Sequence, residues 1–264
     1  MEQIKYYADV TVYQMRQALL VLFEYPANFI GWLLSNPLQF VMGFATLKFV
    51  VQEFGTINGW NYGQLACLYG IAVMSHALSM IFFVQGWFMG YYVIEGEFDR
   101  FLLRPMSVLY QFFFTQFNVI GITDLIPGIC VFVYGCKAVG FAWDIRQIVT
   151  LCVLLIGATL IRGAIYIMMG TTSFWTKSTN DFAGFTQEFF DKTTMYPLSM
   201  YPRGMQHILT YIIPIGWISF YPAKELLEHV SKGAWITLGI GIVWLWLAGR
   251  LFRFGLRSYE SAGN

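Results

Sequence analysis

Long apolar runs separated by short charged segments constrain this chain more than any other feature of its sequence. An α-helix crosses the hydrocarbon core of a bilayer with about 20 predominantly apolar residues. Five runs reach or approach that length, at residues 29–51, 65–93, 108–134, 148–174 and 235–252. The sequence therefore predicts an all-α membrane protein that crosses the bilayer several times.

The composition indicates that a bilayer is the solvent for much of the surface. Only 12% of the residues are charged and 57% are hydrophobic, whereas soluble proteins keep about a quarter of their residues charged. The net charge of +1 argues against nucleic acid as a partner, since that binding needs a basic face. The four cysteines lie in or beside apolar runs without C-x-x-C spacing, so we expect buried thiols and no metal site.

Residues 1–25 are predicted to form a helix on the membrane surface rather than a span. Charged residues recur on one helical face, and aromatic and apolar residues fill the other. Pro26 ends this helix. The segment has neither the basic start nor the small-residue cleavage site of a signal peptide, so we expect no cleavage.

Residues 94–105, between the second and third spans, concentrate charge in an otherwise apolar chain. The charged residues of the segment are Glu95, Glu97, Asp99, Arg100 and Arg104. A short helix would place Phe98, Phe101 and Leu102 on one face and most of the charges on another. Such a helix can lie at the membrane surface and present its polar side to a soluble partner. The same pattern also fits a solvated charged loop that binds no partner.

Two charged residues lie inside apolar runs, Asp124 in the third span and Arg162 in the fourth. Charges in hydrocarbon are costly, and they usually pair with each other or face a polar cavity. Antiparallel neighbours would bring these two to comparable depth, so we predict a structural ion pair, with a substrate contact as the alternative. His76, in the second span, is expected to be a hydrogen-bonded packing residue rather than a proton relay.

Residues 171–196 mix charges with phenylalanines spaced three and four apart, which predicts an amphipathic helix. A helix with a polar side inside a membrane protein normally lines a cavity or a subunit interface. Residues 195–227 then hold four prolines around two apolar pieces that are too short to cross. This second pattern indicates a re-entrant hairpin.

Counting the helix at 171–196 as a crossing gives six transmembrane helices with both termini on one side. Arg250, Arg253 and Arg257 follow the last span on one face. Basic residues in short loops mark the cytoplasmic side, so we predict that both termini are cytoplasmic. The chain lacks G-x-x-x-x-G-K-[ST], H-E-x-x-H and G-x-S-x-G, so we expect no enzyme activity, no catalytic residues and no cofactor bound by this chain.

The order of these parts resembles the membrane subunit of a bacterial type-2 ABC (ATP-binding cassette) exporter. The most specific part of the resemblance is the run Gly96–Pro105, Gly-Glu-Phe-Asp-Arg-Phe-Leu-Leu-Arg-Pro, together with Tyr-Pro and Tyr-Pro-Ala in the last third. The resemblance covers nearly the whole length, and it implies one transmembrane domain over residues 1–264.

The resemblance implies a permease of the bacterial cytoplasmic membrane that dimerises with itself or with a sister permease. Separate ATPase subunits, which bind ATP and magnesium, would drive it. Residues 94–105 would be a coupling helix seated in a groove of the ATPase, with the N-terminal helix on the membrane beside it. The coupling residues would be Glu97, Phe98, Asp99, Arg100, Leu103 and Arg104.

The resemblance also places the translocation path near the dimer interface and the fifth helix. The path residues would be Phe182, Phe185 and Phe189, and residues 195–227 would cap the path outside. No feature of the sequence selects a substrate. The alternative is a polytopic membrane protein without a transport role, such as a lipid-modifying enzyme or an immunity or receptor factor.

Overall fold

A computed structural model of the chain describes residues 2–24, 26–114, 117–177 and 181–260. The regular structure in these ranges is helical, and an isolated bridge of extended backbone joins Ile57 to Trp60. The helices are α1 Glu2–Glu24, α2 Pro26–Phe54, α3 Tyr62–Phe83, α4 Gln85–Ile94, α5 Asp99–Leu102, α6 Val108–Phe114, α7 Gly121–Ala138, α8 Ile145–Thr171, α9 Ser173–Thr176, α10 Asp181–Thr194, α11 Arg203–His207, α12 Phe220–Leu227 and α13 Lys232–Leu256.

Five helical stretches of the described chain are long and apolar enough to cross a membrane. They are Phe29–Phe54, Tyr62–Ile94, Gly121–Ala138, Ile145–Thr176 and Lys232–Leu256. The prediction of an all-α, multi-pass membrane protein is therefore confirmed. The sixth crossing expected at residues 171–196 is not among these stretches, because α10 has only 14 residues.

The third span, expected over residues 108–134, is divided in the structure. The helix α6 ends at Phe114, and α7 begins only at Gly121. Between them, the backbone N–H of Asn118 leaves the helical ladder and donates to the carbonyl of Ile81 in α3 over 3.3 Å. Apolar periodicity could not reveal this break, since the residues on both sides remain hydrophobic.

The stretch formed by α3 and α4 is the centre of the bundle. Of its most apolar window, 83% is buried, compared with 17% for α2 and 22% for α13. The long flanks of α3 pack against α7 on one side and α8 on another, and α13 packs against the far side of α8. The helices α2 and α13 therefore present apolar side chains outward, as lipid-facing helices do.

Glycines bring these helices into backbone contact. A Cβ at Gly135 of α7 would lie 2.6 Å from the backbone nitrogen of Cys67 in α3. In the same way, a Cβ at Gly157 of α8 would lie 2.7 Å from the backbone nitrogen of Leu238 in α13. Without a hydrophobic effect to separate helices from lipid, such close packing is a main source of association in a bilayer.

The chain after α10 is broken into short pieces over most of residues 195–227. Turns of 3₁₀-helix at Leu198–Met200 and Ile215–Trp217, a π-helical turn at Ile208–Ile212 and the short helices α11 and α12 follow one another. Leu209, Ile215 and Ile218 of this region are buried against Ile161 and Ile165 of α8. The segment is therefore packed into the bundle rather than looped away from it.

We expect Gly135→Ala to destabilise the protein, because the added methyl group would meet backbone atoms of α3 that cannot rotate away. Overpacking of this kind costs about 1–3 kcal/mol. Thermal unfolding of the purified chain in detergent measures the loss. Gly239→Ala in α13 is the control, since nothing lies within 4 Å of a Cβ there. Equal melting temperatures for the two variants would contradict the close α3–α7 contact.

Candidate functional site

The charged segment after α4 folds as a tight turn with a single helical turn inside it. The helix α4 ends at Ile94, and Gly96 adopts a left-handed backbone with φ of 71°. This conformation suits glycine because it has no Cβ. The backbone N–H of Phe98 then donates to the carbonyl of Tyr92 over 2.9 Å. The regular helix of the segment is therefore only α5, not the whole of residues 94–105.

Phe98 fixes this turn to the rest of the bundle. Its side chain is fully buried, and its ring centroid lies 5.1 Å from that of Phe174 in α9. The rings of Tyr259 and of Phe112 in α6 lie 5.2 and 5.6 Å away. Aromatic pairs at these distances add stability beyond their buried area. Phe98 is thus an anchor of the segment and not part of its outer surface.

The outer surface of the segment carries charges around exposed leucines. Its exposed members are Glu95, Glu97, Arg100, Leu102, Leu103 and Arg104. The Arg100 guanidinium lies 3.7 Å from the Glu97 carboxylate and 5.1 Å from the centre of the Tyr92 ring. Leu103 is 86% exposed. An apolar side chain among charges of both signs can bind a complementary protein groove. We call these six residues the outer turn surface.

The C-terminal tail holds the same segment from the other side. The Tyr259 hydroxyl donates to the Asp99 carboxylate over 2.8 Å. Burial, and secondly this bond to Asp99, raise the pKa of Tyr259 to about 12, so the hydroxyl stays protonated at neutral pH and can donate. Next to it, the Lys177 ammonium lies 3.0 Å from the Glu260 carboxylate. Sequence reasoning missed this tail, although Tyr259 and Glu260 directly follow the basic exit of the last span.

The N-terminal helix reaches the chain just after the outer turn surface. The backbone N–H of Ser107 donates to the Tyr7 hydroxyl over 3.2 Å, and the Tyr110 hydroxyl donates to the Tyr7 carbonyl over 2.9 Å. The rings of Tyr7 and Tyr110 meet edge to face, with centroids 4.6 Å apart. These contacts place α1 beside the residues that directly follow the segment.

The two intramembrane charges approach the same turn of α3. The Asp124 carboxylate lies 3.8 Å from Nε2 of His76. The Arg162 guanidinium donates to the Thr194 hydroxyl over 3.2 Å and lies 3.5 Å from the Ala72 carbonyl. Ala72 and His76 are one helical turn apart, so the charges are at comparable depth. A direct Asp124–Arg162 ion pair stays a prediction.

The phenylalanines of α10 divide between the surface and the core. Phe185 is 69% exposed and Phe189 is 36% exposed, whereas Phe190 is buried against α8. The side chain of Phe182 lies outside the described part of the structure. Within the described part, no group of three or more His, Cys, Asp or Glu residues could hold a metal ion.

The spanning helices define a multi-pass membrane protein with a firmly held polar turn at one end of the bundle. A family model described as ABC-2 family transporter protein matches residues 37–263. The chain therefore belongs to the ABC-2 transporter family, as a membrane permease of an ABC transporter. Comparisons with curated proteins and with solved structures give no match.

We expect Tyr259→Phe to loosen the charged turn without unfolding the bundle. A hydrogen bond to a carboxylate that is partly exposed contributes about 1 kcal/mol, which corresponds to roughly fivefold faster local opening. Amide hydrogen exchange of residues 98–102 measures this opening. Tyr211→Phe is the control, since Tyr211 is an exposed tyrosine of the π-helical turn. Unchanged exchange in Tyr259→Phe would show that the tail does not hold the turn.

Proposed function

We propose that this chain is the permease subunit of an exporter in the bacterial cytoplasmic membrane. It dimerises with itself or with a sister permease, and separate ATPase subunits that bind ATP and magnesium drive it. The outer turn surface docks into a groove of the ATPase as the coupling element. The observation that carries this proposal is the combination of an exposed outer surface with a completely buried anchor at Phe98.

The anchor supports coupling because it connects the docking surface to helices that continue into the membrane. Phe98 packs against α6, α9 and the end of α13, whose Phe252 belongs to the same buried cluster. The helix α9 leads towards α10 along the chain. Protein interiors are close-packed, so a displacement of the turn moves its neighbours rather than being absorbed. An ATPase that pushes on the turn would therefore shift α9 and α13 together.

A sixth crossing at α10 is supported by contacts at its two ends. Lys177, four residues before α10, pairs with Glu260 of the C-terminal tail. Beyond α10, the Ser199 carbonyl accepts a hydrogen bond of 2.6 Å from the side chain of Asn58, in the loop between α2 and α3. Three candidate spans, α3–α4, α7 and α8–α9, lie between Asn58 and Lys177 along the chain, so these two residues belong to opposite sides of the bundle. Both contacts therefore favour a crossing between residues 177 and 199.

This topology gives the remaining segments their roles. The basic exit after α13 makes its end cytoplasmic, so the N-terminal helix lies on the cytoplasmic membrane surface and both termini are inside. Residues 195–227 enter from the outside as a re-entrant cap. At about 1.5 Å per residue, α10 alone is shorter than the hydrocarbon core, and the packed pieces that follow it complete the outer half of the protein.

The exposed side of α10 is proposed to form the dimer interface and the translocation path. Phe185 and Phe189 lie on this side with the ion pair between Lys192 and Glu188, whose side chains are 72% and 65% exposed. Polar and charged groups at membrane depth face a subunit or a water-filled cavity rather than lipid. Phe182, by its spacing, is assigned to the same path.

Changes of charge in the outer turn surface test the coupling role. We expect Arg104→Glu and Leu103→Asp each to reduce association with the ATPase at least tenfold. Loss of a desolvated partner in an interface costs about 2–5 kcal/mol, against about 0–1 kcal/mol for a solvated charge. Copurification and substrate-stimulated ATP hydrolysis measure the effect. Lys5→Ala in α1 is the control, because Lys5 is exposed and lies outside the segment.

Each outcome of that experiment distinguishes docking from solvation. A loop that only remains in water tolerates reversal at Arg104 as well as the change at Lys5. If both outer-turn variants copurify with a fully coupled ATPase, the coupling role is wrong. The unmodified chain should also copurify with an ATPase from cells that express its neighbouring genes. If it does not, the proposal of a permease driven by an ATPase is wrong as a whole.

Single cysteines test the sixth crossing in a background without native cysteines. We expect a cysteine at Thr176 to be protected from an impermeant thiol reagent in intact cells, and a cysteine at Met200 to react. Both side chains are exposed in the structure, so access depends on the side of the membrane rather than on burial. Gly96 and Ser258 should be protected as well. Labelling of both Thr176 and Met200 positions from outside would exclude a crossing between them.

A further inference from the structure

A large cavity lies between the N-terminal part of the chain and the central bundle. Its volume is about 780 Å³, and its walls come from α1, α2, the α3–α4 stretch and the start of α7. Ligand-binding cavities in proteins usually measure about 300–1,000 Å³. The cavity is therefore large enough for an organic molecule of drug size.

A stretch of backbone outside regular helix lies in the wall of this cavity. It comprises residues 117–120, directly before α7. Non-helical backbone at membrane depth is tolerated only where protein or a polar cavity covers it. Broken helices line the binding sites of many transporters, so this break before α7 favours a ligand site over a packing defect.

The described part of the cavity wall contains a carboxylate, that of Asp124. Asp124 is a buried wall residue, and its carboxylate lies 3.8 Å from Nε2 of His76, also in the wall. No lysine or arginine is found among the described residues that line the cavity. The aromatic wall residues are Trp32, Phe40, Trp87, Phe88 and Phe117. Aromatic faces attract cations, most strongly where water is excluded.

We propose that this cavity binds amphipathic organic cations, with the apolar body among the aromatic side chains and the positive head near Asp124. The carboxylate supplies the counter-charge, and the rings supply apolar area and cation–π attraction. That the bound cation is a transport substrate rests on the proposed function. The binding itself depends only on this chain.

Neutral amides complete the site. The amide side chains in the wall are Gln14, Gln17, Asn36, Gln39, Gln85 and Asn118. They can donate to or accept from the polar groups of an organic head without repelling its charge. A lipid acyl chain offers no polar group to these side chains. An anionic ligand would be repelled by Asp124.

The test uses the full-length chain in nanodiscs of phosphatidylcholine, without an ATPase. Equilibrium dialysis measures binding of labelled tetraphenylphosphonium, with empty nanodiscs subtracted. We expect saturable binding that unlabelled tetraphenylphosphonium displaces. Its uncharged relative triphenylphosphine oxide should need about tenfold higher concentration, because it lacks the attraction of a net charge to Asp124. Absence of saturable binding, or equal displacement by the neutral compound, would overturn the proposal.

Matched variants locate the bound cation. Asp124→Asn should weaken binding of tetraphenylphosphonium about tenfold, since it removes one member of a buried charge pair. Glu53→Gln removes an exposed carboxylate outside the cavity and should leave the affinity unchanged. If Asp124→Asn fails to fold, Trp32→Leu provides the second test, because its half-exposed ring can be replaced without a core cavity. Unchanged affinity in a folded Asp124→Asn, or in Trp32→Leu, would place the cation elsewhere.

The result is separable from the test of the proposed function. Saturable cation binding by a chain that fails to couple to any ATPase would refute the driven permease and leave the site standing. Normal ATPase coupling without cation binding would refute only the site.

Discussion

The burial of Phe98 is the interaction on which the end of the bundle that carries the charged turn depends. Its ring meets rings from α6, α9 and the C-terminal tail, so one side chain joins segments that are far apart in sequence. Asp99, the next residue, is held by Tyr259. The charged side chains of the turn are therefore attached to a closely packed part of the bundle. A polar surface without such packing could bind a partner, but it could not transmit the partner's movement to the helices.

The central stretch of α3 and α4 organises the membrane part in a similar way. One helical turn of α3 contains Ala72 and His76. At this turn, Asp124 of α7 lies next to His76, and Arg162 of α8 donates to the Ala72 carbonyl. Close approaches at glycines such as Gly135 bring the neighbouring backbones against it. Where this packing opens, towards α1 and α2, the wall contains the non-helical backbone before α7 and a buried carboxylate. Tight packing on one side and a polar opening on the other are the arrangement expected of a helical bundle that binds a ligand.

Much of the helical architecture could be predicted from the apolar runs, because hydrocarbon requires every spanning backbone to satisfy its own hydrogen bonds. The break before Gly121 could not be predicted, since its stabilising partner is a carbonyl of another helix, at Ile81. In the charged turn, the predicted apolar face contains Phe98 and Phe101, which are buried, but also Leu102, which is exposed. Contacts with distant aromatic residues, and not helical spacing alone, decide which of these side chains are covered.

The sequence by itself determined the solvent of this protein, its helical class and its family. These follow from composition, from the length of apolar runs and from the local run Gly96–Pro105, all of which are properties of neighbouring residues. Only the tertiary structure decided which side chains meet: Tyr259 with Asp99, and His76 with Asp124. Such contacts join residues from separate helices, and the packing of those helices, rather than any local pattern, fixes the distance between them.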